Sequence, residues 1–206
     1  MIFKPWTAAL VGVVLLGAPA CTPVGVVMGA GAATGLAAYQ ERGVDGVARD
    51  LAISGRVLDM YARFDHTLVG AVGVEVYESR VLLTGQLESE DRRADAVRLA
   101  WRADGVKDVI NEIVVTGGGN LLDTAEDSWI SAQLEYKLTF DKKVFAINYA
   151  IETVGGTVYL MGIAQNEEEL RRVKDHARAV PYVQRIVSHV RVKEPAPMVT
   201  AAPGGS

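Results

Sequence analysis

Apolar side chains recur at helical spacing early in the chain and then alternate along two short segments. The helical stretch is expected to start after a cap at Asp45, and its apolar positions are Ile53, Val57, Met60, Tyr61 and Phe64. Two strands are predicted after it, Ala71–Glu78 and Arg80–Leu87, and the second alternates apolar residues on one face. The pattern therefore predicts a helix followed by a β-hairpin.

A second helix and a third strand complete this unit. Ser89 is predicted to cap the helix, which stops before Gly105. Val106–Thr116 is predicted to be the last strand. Because a strand–helix–strand crossover is right-handed, both helices should lie on one face of the sheet. The predicted unit is an αββαβ two-layer sandwich.

The whole pattern occurs twice, at a constant offset of 77 residues without a gap. A period of this length indicates a duplicated small domain, because solenoid repeats are typically about 20–50 residues long. Ten identical pairs support the offset: Asp50/Asp127, Ile53/Ile130, Ser54/Ser131, Val81/Val158, Leu83/Leu160, Gly85/Gly162, Glu90/Glu167, Ala100/Ala177, Val106/Val183 and Val115/Val192.

The second copy has its own start, turn and stop signals. Its first helix is predicted to start at Thr124 or Asp127, and Gly155-Gly156 is predicted to form the hairpin turn. Asn166 is expected to cap the second helix, and Pro181 to end it. The predicted fold class is α+β, with tandem domains over residues 45–116 and 124–193 and a linker over 117–123.

The first twenty residues are typical of a cleaved signal peptide. An uncharged apolar stretch follows Lys4 and is too short to span a bilayer comfortably. Small residues then precede Cys21, the only cysteine in the chain. This arrangement indicates a lipoprotein signal, in which acylation of Cys21 would provide a firm anchor. The alternative is plain secretion with Cys21 as an ordinary first residue, because the usual leucine three positions before it is missing.

Residues 21–44 are predicted to form a lipidated N-terminus and a spacer. Val24–Ala38 is apolar and rich in glycine, and we interpret it as a flexible spacer between the anchor and the first domain. The alternative is close helix packing through glycines four residues apart. At the other end, residues 194–206 contain three prolines and a terminal Gly-Gly-Ser, which predicts a disordered tail.

The two copies contain several short motifs: Val81-x-Leu83-x-Gly85, Gly105-Val106-x-x-Val109, Asp127-Ser128-Trp129-Ile130, Val158-Tyr159-Leu160-Met161-Gly162 and Val183-x-x-Ile186. These motifs resemble those of the BON domain, with Tyr182 where the family usually has glycine. Together with the lipoprotein signal, they resemble the outer-membrane lipoproteins that carry two BON domains, and Thr22 after the cysteine matches sorting to the outer membrane. The resemblance implies a periplasm-facing protein that contacts phospholipid, supports envelope integrity and has no catalytic residues to carry over.

The two copies differ beside the shared core face of their first helix. The core positions are Ile53, Val57 and Tyr61 in copy one and Ile130, Leu134 and Leu138 in copy two. On the neighbouring face, aromatic residues replace a polar, small-residue stripe: Ala52, Gly55, Asp59 and Arg63 correspond to Trp129, Ala132, Tyr136 and Phe140. A helix that is apolar on two faces is either buried on both or presents one to a partner.

Two interpretations of these aromatic residues remain open. They would fill the seam between the domains, or they would face a membrane, where Trp and Tyr suit the headgroup region. In the second case Lys137, Lys142 and Lys143 would meet anionic phospholipid, each contributing about 1 kcal/mol. The predicted lipid-binding residues are therefore Trp129, Tyr136, Phe140 and these three lysines. Binding of another envelope protein by the same face is the alternative function.

The second strand of the hairpin also differs between the copies, because the side that points away from the core is more apolar in copy two. An apolar sheet face of this kind would be an exposed patch in isolation. We expect it to pack against the first domain, with a partner protein as the alternative. The side chains that point away from the core are Leu82, Thr84 and Gln86 in copy one and Tyr159, Met161 and Ile163 in copy two.

Composition argues against catalysis and nucleic-acid binding. The net charge is −4 and the pI is about 5.4, whereas nucleic-acid proteins usually have a basic excess. The three histidines lie far apart and match no metal-ligand spacing. No nucleophile–base constellation is present. We therefore expect no enzyme activity, no metal and no cofactor.

Overall fold

The computed structural model describes residues 38–116 and 124–194. The predicted signal peptide, Cys21, the linker 117–123, nearly all of the spacer and nearly all of the tail lie outside these ranges. The first domain contains, in chain order, α1 (Gly43–Phe64), a short α2 (Thr67–Ala71), β1 (Val72–Tyr77), β2 (Arg80–Leu87), α3 (Glu90–Trp101), β3 (Asp108–Asn111) and β4 (Val114–Val115).

The second domain repeats this order with a longer last strand. The predicted α+β fold of two tandem αββαβ units is confirmed, with α2 and a 3₁₀ turn as small additions that the hydrophobic pattern did not indicate. The elements of the second domain are α4 (Thr124–Phe140), the 3₁₀ turn (Ala146–Asn148), β5 (Tyr149–Val154), β6 (Thr157–Ala164), α5 (Glu167–Arg178) and β7 (Arg185–Val192).

Each domain has a small mixed sheet with its hairpin's second strand in the centre. In the first domain β2 pairs antiparallel with β1 and parallel with β3 and β4. In the second domain β6 pairs antiparallel with β5 and parallel with β7 along its whole length. The parallel pairs require the crossover through α3 or α5, which places the helices of each domain on one face of its sheet.

The predicted core faces are buried in both domains. The three α1 positions and the three α4 positions of the shared core face are each at most 1% exposed. They pack on the alternating apolar residues of the central strand, such as Val81 and Leu83 in the first domain and Val158 and Leu160 in the second. Each domain therefore has its own helix-on-sheet core.

A repeated aspartate ties the first helix of each domain to its hairpin. Oδ1 of Asp50 accepts a hydrogen bond of 2.8 Å from the Ser79 backbone N–H, and Oδ2 accepts one of 2.8 Å from Glu78. Asp127 accepts equivalent bonds of 2.7 and 2.9 Å from Gly155 and Gly156. Of the two predicted starts of this helix, Thr124 is confirmed, because α4 begins there, whereas Asp127 lies in its first turn and binds the hairpin turn. The predicted turn at Gly155-Gly156 is confirmed.

The repeated glycine of the central strand is required by a close backbone approach. Gly85 and Gly162 have φ angles of 114° and 139°, which side-chain-bearing residues rarely adopt. A Cβ at either position would overlap the backbone carbonyl oxygen of Ala71 or Asn148. The identity of this pair in the two copies thus has a steric cause.

Two other boundaries differ from the sequence prediction, and two caps agree with it. The helix α1 starts at Gly43, so Asp45 lies in its first turn and is not its cap. The segment 106–116 is not one strand, because Oδ1 of Asn111 accepts a bond of 3.1 Å from the Ile113 N–H and interrupts the ladder between β3 and β4. Ser89 and Asn166 cap α3 and α5 as predicted.

The two sheets face each other and bury a third apolar cluster, which we call the seam. The seam contains Tyr77 and Leu82 from the first domain and Tyr159, Met161 and Ile163 from the second, each at most 8% exposed. The expected interdomain packing of the sheet face is confirmed. The aromatic residues of α4 are not among these seam residues.

Three polar contacts between the domains lie beside the seam. Their basic side chains come from β7 and from the residue that follows it. Nε2 of His189 lies 2.8 Å from Oε1 of Glu112, and Arg191 pairs with Glu78. Nζ of Lys193 lies 2.9 Å from Oε2 of Glu41. Because these three residues alternate along the chain, they share one side and all face acidic groups of the first domain.

Candidate functional site

The exposed side of α4 carries an aromatic face, which we define as Trp129, Tyr136 and Phe140. At 100° per residue, these three positions fall within about 40° of one another around the helix axis. They extend over about 16 Å along the axis, at 1.5 Å per residue. The core residue Leu134 is on nearly the opposite side. The aromatic face is thus a narrow stripe that points away from the second domain's own core.

The three aromatic side chains are accessible in the described part of the chain. Trp129 is 41% exposed, Tyr136 62% and Phe140 70%. The ring centroids of Tyr136 and Phe140 lie 4.7 Å apart. The interpretation that these residues fill the seam between the domains is therefore wrong, because the sheets and not the helices form that seam.

The matched face of α1 is small and polar. Ala52, Gly55, Asp59 and Arg63 are all exposed. The Arg63 guanidinium lies 2.8 Å from a carboxylate oxygen of Asp59, one turn away on the same helix. A Cβ at Gly55 would meet no atom within 4 Å. The two domains therefore share a fold and differ in what this helix face can bind.

The predicted lysines lie at the C-terminal end of the aromatic face. Lys137 is a partly buried residue of α4, whereas Lys142 and Lys143 are exposed in the turn that follows the helix. Lys137 is in the last turn of α4, and Lys142 and Lys143 follow the end of the helix. Three lysines at separate backbone positions suit a charged surface better than a single small anion.

A carboxylate fixes the turn that carries two of these lysines. Oδ2 of Asp141 lies 2.7 Å from Nε2 of His176 and accepts a bond of 2.8 Å from Nε of Arg172. Its Oδ1 accepts a bond of 3.0 Å from the Lys143 N–H. The hydrogen bond with His176 is the main reason why the pKa of Asp141 falls to about 2, with smaller contributions from the Lys143 N–H and Arg172. The turn is thus bound to α5, and the negative charge of Asp141 is already paired.

Two further exposed aromatic residues of the second domain were missed by the sequence analysis. The Tyr182 ring meets Trp129 edge-on, with centroids 6.0 Å apart and an interplanar angle of 70°. Phe145 is 57% exposed and lies two residues after Lys143. Neither lies in a helix or a strand, so periodicity could not assign it to a face. The signal that was available for Tyr182 was its place where the BON pattern usually has glycine, and its φ is indeed 67°.

No group of three or more His, Cys, Asp or Glu side chains in residues 38–116 and 124–194 is arranged to hold a metal ion. Over the same ranges, no helix combines the length and apolarity needed to cross a bilayer.

The described residues form a tandem of two helix-on-sheet α+β domains. Helices cover one side of each sheet, the other sides are buried against each other, and the aromatic face is confined to one copy. The chain belongs to the BON domain family, whose pattern matches residues 49–117 and 126–194. The resemblance drawn from the repeated motifs is therefore confirmed for both copies.

Three curated relatives are each similar to more than half of this chain. An uncharacterized protein in the gshII 5′ region of Anaplasma centrale is 44% identical over 131 residues, which are 63% of this chain and 87% of that protein. The outer membrane lipoprotein DolP of Haemophilus influenzae is 29% identical over 118 residues, covering 57% of this chain and 61% of that one. The osmotically-inducible protein Y of Escherichia coli is 25% identical over 146 residues, covering 70% and 73%.

Proposed function

We propose that this chain is a non-enzymatic lipoprotein on the periplasmic face of the outer membrane, where it contacts anionic phospholipid through its second domain and supports membrane integrity. The observation that carries the proposal is the exposed aromatic face of α4, which the same position of the first domain lacks. The relative DolP, an outer membrane lipoprotein by name, supports the location.

The chemistry of the face suits the interfacial region of a bilayer. Trp and Tyr favour the headgroup level, where an apolar ring and a polar atom are both accommodated. Phe140 would insert more deeply, and Lys142 and Lys143 beside it would meet lipid phosphates. Each lysine close to an anionic surface contributes about 1 kcal/mol. An acylated Cys21 would hold the domain near the membrane, so that weak contacts gain from a high effective concentration.

Vesicle flotation tests this function with the chain from Thr22 onward, which lacks the acylation site. We expect it to float with vesicles that contain anionic phospholipid, and less with purely zwitterionic ones. Trp129→Ala and Phe140→Ala should each reduce the floated fraction, because each removes an interfacial anchor. Replacing Lys142 and Lys143 with Gln should reduce binding at low salt, and its effect should shrink at high salt as the charges are screened.

The duplication supplies a matched control. Ala52 occupies the position of Trp129 in the first domain, and Ala52→Ser should leave flotation unchanged. If a folded double variant with Trp129→Ala and Phe140→Ala shows the same floated fraction as the wild type, the aromatic face does not bind lipid. Binding of another envelope protein by this face would then become the leading function.

A further inference from the structure

Two carboxylates occupy equivalent positions in the buried seam. Glu75 in β1 and Glu152 in β5 are related by the 77-residue offset and lie on the seam side of their strands. Glu152 reaches across to the first domain, since a Cβ on Gly73 would lie 3.6 Å from its Oε1. The same Cβ would overlap Oγ1 of Thr84. The two domains thus bring their matching acidic side chains to one place.

Neither carboxylate is paired with a cationic side chain in the described residues. Neither Glu75 nor Glu152 has a hydrogen bond or an ion pair in the described residues, although both are partly buried. Thr84 is 1% exposed, and its hydroxyl also has no hydrogen-bond partner there. A buried carboxylate without a partner favours its neutral form, because the charge has lost its hydration.

The surrounding charges act mostly in the same direction. Burial is the main cause that raises the pKa of Glu75 to about 7, and the nearby Glu152 and Glu135 raise it further while Arg42 opposes them. Burial also raises the pKa of Glu152 to about 7, with added repulsion from Asp127 and Glu135 on α4. Arg42 gives little relief, because its guanidinium is already 2.8 Å from a carboxylate oxygen of Asp50.

A second titratable contact lies at the other side of the seam. His189 from β7 faces Glu112, with Nε2 2.8 Å from Oε1, and this pair is ionic only when the imidazole is protonated. Arg191 and Lys193 pair with Glu78 and Glu41. The seam therefore combines these paired acidic groups with the two carboxylates of Glu75 and Glu152, which have no paired cation in the described residues.

We propose that the seam is a proton-controlled joint, in which Glu75 and Glu152 hold the two domains together when protonated and loosen them when ionised. The sign follows from proton linkage: the docked state binds protons that the separated domains release, so docking weakens as the pH rises. The change should begin above the ordinary carboxyl pKa of 4.5 and be complete slightly above 7. For one such carboxyl, the docking constant should fall on the order of 100-fold across this interval.

Distance measurements between spin labels test the joint in the full chain. Cys21→Ser leaves no native cysteine, and cysteines are then introduced at the exposed positions Ala94 and Arg171, which correspond in α3 and α5. We expect a narrow distance distribution at pH 5 and a broader one with longer distances at pH 8. Glu75→Gln combined with Glu152→Gln should keep the narrow distribution at pH 8, because an amide of the same shape cannot ionise.

Three variants separate this proposal from other causes. Glu88→Gln, at an exposed position outside the seam, should respond to pH as the wild type does, and circular dichroism should show that every variant is folded. A distribution in the wild type that is identical at pH 5 and pH 8 would overturn the proposal. So would a pH response that survives in the double Gln variant and disappears in His189→Gln, since the histidine alone would then control the seam.

Discussion

Trp129→Ala separates an exposed anchor from a core residue, and the structure gives the size of the expected loss of stability. The side chain is 41% exposed, so about three-fifths of its surface is covered. A large aromatic side chain buries at most about 250 Å², and three-fifths of that, at about 25 cal/mol per Å², gives an upper bound of roughly 4 kcal/mol. Because alanine keeps its Cβ and the unfolded chain already buries some surface, we expect about 2–3 kcal/mol.

Phe140→Ala should cost less, because Phe140 is 70% exposed and covers little surface. The same conversion gives at most about 2 kcal/mol. Leu134→Ala is the reference for a true core position, since Leu134 is fully buried in α4 and such truncations cost about 2–5 kcal/mol. The expected order of destabilisation is therefore Leu134, then Trp129, then Phe140.

Urea unfolding of the chain from Thr22 onward measures these differences. Far-ultraviolet circular dichroism is the appropriate signal, because Trp129→Ala also removes a fluorophore. If Trp129→Ala destabilises the chain as much as Leu134→Ala, the indole belongs to the core, and its effect on flotation could not be assigned to lipid contact. A Phe140→Ala loss of more than about 2 kcal/mol would contradict the exposed position of that ring.

Three further predictions concern the lipid anchor at Cys21, the aspartates that bind the hairpins and Asp141 in the turn after α4. Cys21→Ser should release the chain from the membrane fraction of cells, and retention through a salt wash would show that another segment anchors it. Asp127→Asn should lower the free energy of unfolding by roughly 2–3 kcal/mol, because it weakens two charge-assisted bonds to buried N–H groups; Asp50→Asn should do the same in the first domain, and denaturation curves that match the wild type would contradict both. The lowered pKa of Asp141 means that its ionised form stabilises the fold above about pH 4, and this stabilisation is lost as the pH falls towards 2. Asp141→Asn should therefore be less stable at pH 6, and its stability should depend less on pH in the acid range. An unchanged acid range of the pH–stability profile would contradict this.

The repeat made most of the fold predictable. At the constant offset, apolar core positions of one copy coincide with apolar core positions of the other. Weak local patterns in the two copies therefore supported the same helices and strands. The pairing of Gly85 with Gly162 marked the same steric constraint, and the alternation around Tyr159 and Met161 indicated a second buried sheet face. The helix face that contains Trp129 was found in the same way, by comparing copies and not by a motif.

Features that depend on three-dimensional proximity were not predictable in this way. Phe145 and Tyr182 lie in loops, where no period assigns a face. The break after Asn111 depends on a local side-chain bond that competes with the ladder. A single glutamate in a strand, as at Glu75 or Glu152, is usually solvent-facing, and only the packing of one sheet on the other buries these two.

The first domain shows that the BON fold does not require the aromatic face. It folds around an equivalent core and an equivalent aspartate–hairpin tie with Ala52, Gly55 and Arg63 at the exposed helix positions. The exposed parts of the rings in α4 increase the apolar surface in contact with water, which promotes association. Since the first domain folds without these rings, we infer that their role is contact with something outside the domain. For this reason the proposed membrane contact is placed on the second domain.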